Sequence, residues 1–425
     1  MKTDSGSSAS SFPFEFTPGM FEGGYVLAAT CLFGLERFLG AEIDALGYER
    51  LFTLDGRVFF RGGDDAVAGA NINLRTAERV FIVAGPPFRA DSFDALFEGT
   101  RAIAWENFIP RDSSFPVSGH SVKSGLASVP DCQKIVKKAI AVRLGKKYGL
   151  EKLPESTPGL SVEFFILKDQ AFLMLDTSGT ALHKRGYRPE AGAAPLRETL
   201  AAAIVMNART AEHPDIFLWD PFCGSGTIPI EAAMLAAGIA PGLRRSFAAE
   251  GAPFLDAGAW RDARSAALEK MSAAASCPFR AMGSDIDPSC IRTARMNAGR
   301  AGVGSMIRFE TADARKIRKP DDPSLRGTLI CNPPYGERMM SAADAEKLYR
   351  DIGRNFRAFD RWQIYVLTSC ETFEALFGRR ADKKRKLYNG MIPCILYQYI
   401  KPHDGGRSSV ARHSGCTRSG SKDED

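Results

Sequence analysis

The chain is short of the residues that build metal centres and disulfide frames. Its five histidines, at 120, 183, 213, 403 and 413, fall at no metal-ligand spacing, and its nine cysteines include no Cys-x-x-Cys pair. That argues against a structural zinc site or a stapled secreted fold and fits the reduced thiols of a cytoplasmic protein. No apolar run approaches the roughly 20 residues needed to span a bilayer. Met1–Ser10 is polar and Ser-rich and lacks the apolar stretch of a signal peptide. A P-loop is missing, and so is the three-glycine fingerprint of a nicotinamide-binding unit, which argues against those two nucleotide chemistries.

Charge of one sign is scarcely in excess overall: 56 Lys and Arg against 50 Asp and Glu, a net +6. Its distribution is uneven. Between His120 and Lys152 stand Lys123, Lys134, Lys137, Lys138, Arg143, Lys146, Lys147 and Lys152, opposed only by Asp131 and Glu151. A second run, Arg379, Arg380, Lys383, Lys384, Arg385 and Lys386, is opposed only by Asp382. Patches of this kind suit a polyanion. Lys123, Lys134, Lys137, Lys138, Lys146 and Lys147 are the candidate RNA-contacting residues. The competing reading is a solvated lysine face.

A length of 425 residues predicts two or three folding units. Residues 1–22 are polar and without periodicity and read as a flexible lead. From Tyr25 to Asp176 short strands alternate with helices, closing on a hairpin with Lys168-Asp169 at its turn. This α+β part carries neither a Gly-rich loop nor an acidic constellation and reads as a binding module. After a helix over 195–209 the pattern becomes regular β/α alternation: strands at 216–218, 279–284, 306–310, 328–331 and 364–368, helices at 228–237, 288–301 and 342–359. A terminal hairpin around Asn389-Gly390 follows. This order predicts a doubly wound sheet with an antiparallel last hairpin. Residues 401–425 are Gly-, Ser- and charge-rich and read as disordered.

Four features recur at the predicted carboxyl edge of that sheet, where such folds bind ligands. The first is Asp220-Pro221-Phe222-Cys223-Gly224-Ser225-Gly226-Thr227, a tight loop with an acid at its entrance. The acid would repel a pyrophosphate but suits an amino-acid-like or cationic ligand. The second is Gly283-Ser284-Asp285-Ile286-Asp287-Pro288. Asp285 or Asp287 could hold a ribose diol; Asp285 is the better placed, and Asp287 could instead cap the helix opened by Pro288. The third is Asp313, which could accept from an adenine amine or be a turn residue. The fourth is Asn332-Pro333-Pro334-Tyr335. Its prolines fix φ and remove two backbone donors, leaving a stiff elbow with carbonyls, one side-chain amide and one aromatic face.

Together these motifs resemble a class I S-adenosylmethionine-dependent methyltransferase acting on amino groups. The stretches Leu175–Gly179, Leu182–Arg188 and Ala194–Thr199 resemble the junction of THUMP-domain RNA guanine-N2 methyltransferases of the RlmL type, which modify large-subunit ribosomal RNA. The resemblance implies a ferredoxin-like lead (23–74), a THUMP RNA-binding domain (75–175) and a methyltransferase domain (176–400). It implies S-adenosylmethionine as cofactor, held by Asp220, Phe222–Thr227, Asp285, Ile286, Asp313 and Asn332, and catalysis by Asn332, Pro333, Pro334 and Tyr335 without a metal. The implied partner is 23S ribosomal RNA or its precursor particle. Fused relatives carry a second methyltransferase behind this one, which a chain of 425 residues is expected to lack. A tRNA guanine-N2 enzyme, a DNA adenine-N6 enzyme and a non-enzymatic RNA-binding factor remain alternatives, and the oligomeric state is open.

Overall fold

The computed structural model describes residues 18–188, 196–209, 215–274, 276–322, 324–335 and 340–400. Its strands are β1 Tyr25–Thr30, β2 Glu49–Leu54, β3 Arg57–Gly62, β4 Arg79–Val83, β5 Phe88–Arg89, β6 Val117–Val122, β7 Val162–Leu167, β8 Gln170–Asp176, β9 Phe217–Asp220, β10 Ala281–Asp285, β11 Ile307–Thr311, β12 Gly327–Cys331, β13 Gln363–Thr368, β14 Lys383–Asn389 and β15 Ile392–Tyr399. Its α-helices are α1 Glu36–Ala45, α2 Asp64–Asn73, α3 Phe93–Ala102, α4 Val129–Tyr148, α5 Glu198–Ala208, α6 Thr227–Ala236, α7 Ala257–Ala273, α8 Pro288–Ala301, α9 Ala342–Phe356 and α10 Phe373–Phe377.

The strands form two sheets. The first runs β2-β3-β1-β4-β8-β7-β6, with β5 on β8. Its pairs are antiparallel except β6 with β7. The amino-terminal part is therefore one continuous sheet in which β4 pairs with β1 on one side and β8 on the other. The β7–β8 turn uses Lys168 and Asp169 with φ of +51° and +62°, the twist that a two-residue hairpin demands. The second sheet runs β11-β10-β9-β12-β13-β15-β14. β9 to β13 are parallel and β15 antiparallel. Chain order reverses at β9, so a crevice opens between the carboxyl ends of β10, β9 and β12.

Three expectations need correction. Pro18–Phe21 is a 3-10 turn rather than a free lead, because Met20 is buried with Val26, Phe59 and Phe172. The last hairpin turns one residue later than expected. Asn389 still pairs with Ile392, so Gly390 (φ +65°) and Met391 make the loop. Helix α7 lies in a stretch to which the sequence assigned no element; its buried face is only Ala259, Trp260 and Ala267, too sparse for a clear period. Trp260 stacks on Phe247 at 5.4 Å. The expected start of α5 at Pro195 and the tail from 401 lie outside the described residues.

The two sheets are docked through buried polar groups. Arg75, two residues past the end of α2, donates to the Ile239 carbonyl at 2.6 Å, and Gly242 N donates to Ile72 O at 2.8 Å. Arg185, in the junction, reaches the Arg75 and Leu182 carbonyls and lies 3.6 Å from Glu231 on α6. The Arg185 and Glu231 side chains are 1% and 0% exposed. Tyr187 donates to the same Glu231 oxygen at 3.0 Å. No helix among the described residues is long and apolar enough to cross a membrane.

Candidate active site

Strand register brings the four motifs level. Trp219 pairs with Leu329, so Phe222 and Asn332, each three residues further on, leave the sheet side by side. Asp220 pairs with Gly283, which puts Asp285 at the height of Phe222. Asp285 pairs with Thr311, two residues before Asp313.

The glycine loop is held open from below. Gly224 and Gly226 have φ of +50° and +86°. A Cβ on Gly226 would stand 3.1 Å from Ala294 Cβ, 3.2 Å from Ile230 Cδ1 and 3.3 Å from Phe309 Cε1, so this glycine lets α6 close onto α8. A Cβ on Gly224 would meet nothing within 4 Å. That position faces open space, where a ligand can approach the backbone. Asp220 is buried, accepts from Phe222 N at 3.0 Å and makes no salt bridge among the described residues. Burial pushes its carboxyl well above the usual range, and nearby Asp285 adds to this. Cys223 is buried and Phe222 half-buried. Thr227 opens α6, its hydroxyl accepting from Arg188 at 2.8 Å and standing 3.4 Å from that of Ser225.

Asp285 Oδ2 accepts from Gly224 N at 2.9 Å, and its Oδ1 from Asp287 N at 3.0 Å. Asp287 is the cap of α8, accepting from Ser289 N at 2.7 Å, so the two acids have separate structural partners. Ile286 between them is 63% exposed, an apolar side chain at the crevice rim. Asp313 is engaged by Arg315 through Nε and Nη2, at 2.9 and 2.7 Å; that guanidinium holds its carboxyl below the usual range.

The elbow after β12 is anchored from both sides. Pro334 O accepts from the buried Tyr349 hydroxyl of α9 at 2.9 Å, and Tyr349 also lies 3.0 Å from Thr368 Oγ1. The Tyr335 hydroxyl accepts from Asn389 Nδ2 at 3.0 Å and lies 3.6 Å from Cys394 Sγ. Burial pushes the Tyr335 phenol up, so it stays neutral. Asn332 Oδ1 is buried and has no hydrogen-bond partner among the described residues. An orphaned buried acceptor is costly, about 1–3 kcal/mol, and is tolerated where a ligand donor completes it.

The sequence-predicted cofactor residues and the elbow therefore share one crevice. Lys123, Lys134, Lys137, Lys138, Lys146 and Lys147 lie in another part of the molecule, on α4 and the end of β6. Lys134 pairs with Asp131 at 3.3 Å, Lys137 with Glu155 at 2.8 Å, and Lys147 stands 4.0 Å from Glu106. Lys123, Lys138 and Lys146 are exposed without a carboxylate partner among the described residues. The supports Tyr349, Asn389 and Arg188 were not singled out as site residues. Arg188 lies within the junction that carried the resemblance, whereas Tyr349 sits in an amphipathic helix where nothing distinguishes it from core.

A mostly parallel sheet with this strand order, its antiparallel last hairpin and this crevice defines a class I methyltransferase. The model of the RMKL-like methyltransferase domain matches residues 185–398, that of the RlmL ferredoxin-like domain 26–81, and that of the THUMP domain 90–176. The chain belongs to this RMKL-like, THUMP-containing methyltransferase family, and its cofactor is S-adenosylmethionine. It is 45% identical to the "Putative RNA methyltransferase YpsC" of Bacillus subtilis (strain 168), over 88% of this chain and 96% of the relative. It is 36% identical to the ribosomal RNA large subunit methyltransferase K/L of Psychromonas ingrahamii, over 86% of this chain but 49% of that longer protein. Among solved structures, one described as a "predicted N6-adenine-specific DNA methylase" from Listeria monocytogenes superposes with a TM-score of 0.82 at 44% identity, covering 92% of this chain and 99% of the other. The SMU.472 structure, described as a "putative methyltransferase complexed with SAH", superposes with a TM-score of 0.81 at 39% identity, covering 88% of this chain and 97% of the other.

Proposed function

We propose that the protein transfers a methyl group from S-adenosylmethionine to the exocyclic N2 amine of a guanosine in structured RNA, with large-subunit ribosomal RNA as substrate. The observation that carries the reading is the buried, unpartnered Asn332 Oδ1 at the crevice lip. An exocyclic amine is a donor of the right kind to complete it.

The residues fit the cofactor. Asp220, buried without a cation, suits the amino group of the methionine part. Gly224 leaves room for a close backbone approach. Asp285 suits the ribose diol and Ile286 a face of the adenine. Asp313 can accept from the adenine amine only by sharing its carboxylate with Arg315. When bound, the cofactor supplies an electrophilic sulfonium methyl. Asn332 Oδ1 and the Pro333 carbonyl accept the two hydrogens of the target amine, so the lone pair localises toward the methyl as positive charge develops. Pro333 and Pro334 keep that geometry stiff, which is a proximity contribution. Tyr335 offers its ring to the base, which must leave its stack to reach the crevice. Loss of the Asp285 carboxylate removes charge-assisted bonds of roughly 1.5–3 kcal/mol. Asp285→Ala should therefore weaken S-adenosylhomocysteine binding by about 10- to 100-fold, measured by titration calorimetry. An unchanged Kd would remove Asp285 from the cofactor site.

RNA is expected on the basic face of the THUMP region, chiefly through phosphates. Exchanging Lys123, Lys138 and Lys146 together for alanine should lower the slope of log K against log salt by about 2–3, read by filter binding over a salt series. An identical slope would leave those lysines as a solvated face. The substrate is tested by mass spectrometry of nucleosides from ribosomal RNA and tRNA of a deletion strain. N2-methylguanosine should fall in the large-subunit fraction. A loss confined to tRNA would redirect the proposal to the tRNA class.

A further inference from the structure

The second basic run joins the site rather than a separate face. β14 and β15 meet at the carboxyl edge of the sheet, where Asn389 donates to the hydroxyl of Tyr335. Beyond Asn389 the turn projects Met391, which is 94% exposed, and Ile392, 43% exposed. Against the same strand packs the loop after β1. Its Gly34 sits so close to the Lys386 carbonyl that a Cβ would stand 2.9 Å away. Phe33 on that loop is 55% exposed, and its ring meets Tyr388 edge-on at 6.0 Å. The loop is braced: Gly34 N and Gly56 N both donate to the Glu36 carboxylate at 2.9 Å. The Glu36 carboxylate is thereby already engaged by backbone donors.

Charge surrounds these apolar tips. Arg385 lies over Phe38 at 4.9 Å and Lys386 over Tyr388 at 5.6 Å. Arg37, on α1, is near enough to Arg385 for the two cations to repel each other. None of Arg37, Arg385 and Lys386 has a carboxylate partner among the described residues. Arg37 directly precedes Phe38, the ring that Arg385 covers, and cations left without an acid suit an anion. An exposed ring and a methionine beside unpaired cations are the elements with which proteins hold unstacked nucleotides: a sequence-tolerant stack plus a phosphate contact.

We propose that this seam between the amino-terminal loop and the last hairpin holds the unpaired RNA nucleotide next to the target base, with Phe33 and Met391 against the flanking base and Arg37 and Arg385 at its phosphate. The proposal rests on the RNA reading above. The Asn389–Tyr335 bond then ties the flanking contact to the elbow that receives the target, so seating one base positions the other. The amino-terminal module contributes to the entrance of the active site as well as to remote RNA affinity.

The test is the double variant F33A/M391A, assayed for methyl transfer to unmodified large-subunit ribosomal RNA. Both side chains are exposed, so melting temperature and S-adenosylhomocysteine affinity should match wild type. The expected result is a KM for RNA raised about tenfold or more, the loss of a stacked base, with kcat changed less than the KM. A second variant, R37A/R385A, should raise KM similarly and flatten the salt dependence. A wild-type protein that methylates RNA, with both variants matching its KM within about twofold, overturns the seam alone. A wild-type protein that methylates no RNA overturns the RNA reading and the seam with it.

Discussion

Exchange of Asn332 for alanine is expected to lower methyl transfer about 10²- to 10³-fold, the range for removing one preorganised group from a developing charge, while leaving S-adenosylhomocysteine binding near wild type. The exocyclic amine of a base is a weak nucleophile because its lone pair is shared with the ring. Full nucleophilicity requires that its hydrogens be held out of line with the attacking lone pair, and the acceptor must already be in place. Asn332 Oδ1 is in place: it is buried, unpartnered and borne on an elbow fixed through Pro334 O by Tyr349 and through Tyr335 by Asn389. Single-turnover transfer with labelled cofactor, alongside calorimetric binding, separates the two effects. Transfer at the wild-type rate would remove Asn332 from the chemistry, and a parallel loss of binding would make its role one of cofactor retention.

The largest effect on stability is expected at the junction. Glu231→Ala should cost about 3–5 kcal/mol, as does breaking one side of a buried ion pair. The Arg185 and Glu231 side chains are almost wholly enclosed, and Tyr187 shares the Glu231 oxygen. With the carboxylate gone, Arg185 remains as a buried cation among carbonyls. The double variant R185M/E231L removes both charges and should recover most of the loss, because a packed apolar pair is often as stable as a buried ionic one. Urea unfolding of the single and double variants measures this. A single variant as stable as wild type would show that the junction is not held by this pair, and a double variant no better than the single would assign the loss to packing.

Much of this was legible in the sequence because its signals are local. The parallel strands are short apolar runs ending in Asp220, Asp285 and Asn332-Pro333-Pro334-Tyr335, and each motif carries its own turn chemistry. The residues that brace the site were illegible for the opposite reason. Tyr349 lies 15 residues beyond Pro334 and Asn389 54 beyond Tyr335, and each reads locally as a helix-core or turn residue. The same holds for Phe33, whose place beside the last hairpin depends on how the two sheets dock. Helix α7 escaped because its buried face is only Ala259, Trp260 and Ala267, too sparse to draw an apolar stripe. Asp313 shows a different limit: its position at the strand end was apparent, but its capture by Arg315 two residues on depends on a side-chain geometry that spacing alone does not decide.

The central claim is that this crevice methylates a guanine amine in RNA. It is tested most directly by incubating the purified protein with labelled S-adenosylmethionine and, in parallel, unmodified large-subunit ribosomal RNA, tRNA and genomic DNA, then identifying the methylated nucleoside. The account predicts N2-methylguanosine from the ribosomal RNA alone. N6-methyladenine from DNA, or no label in any RNA, would contradict it.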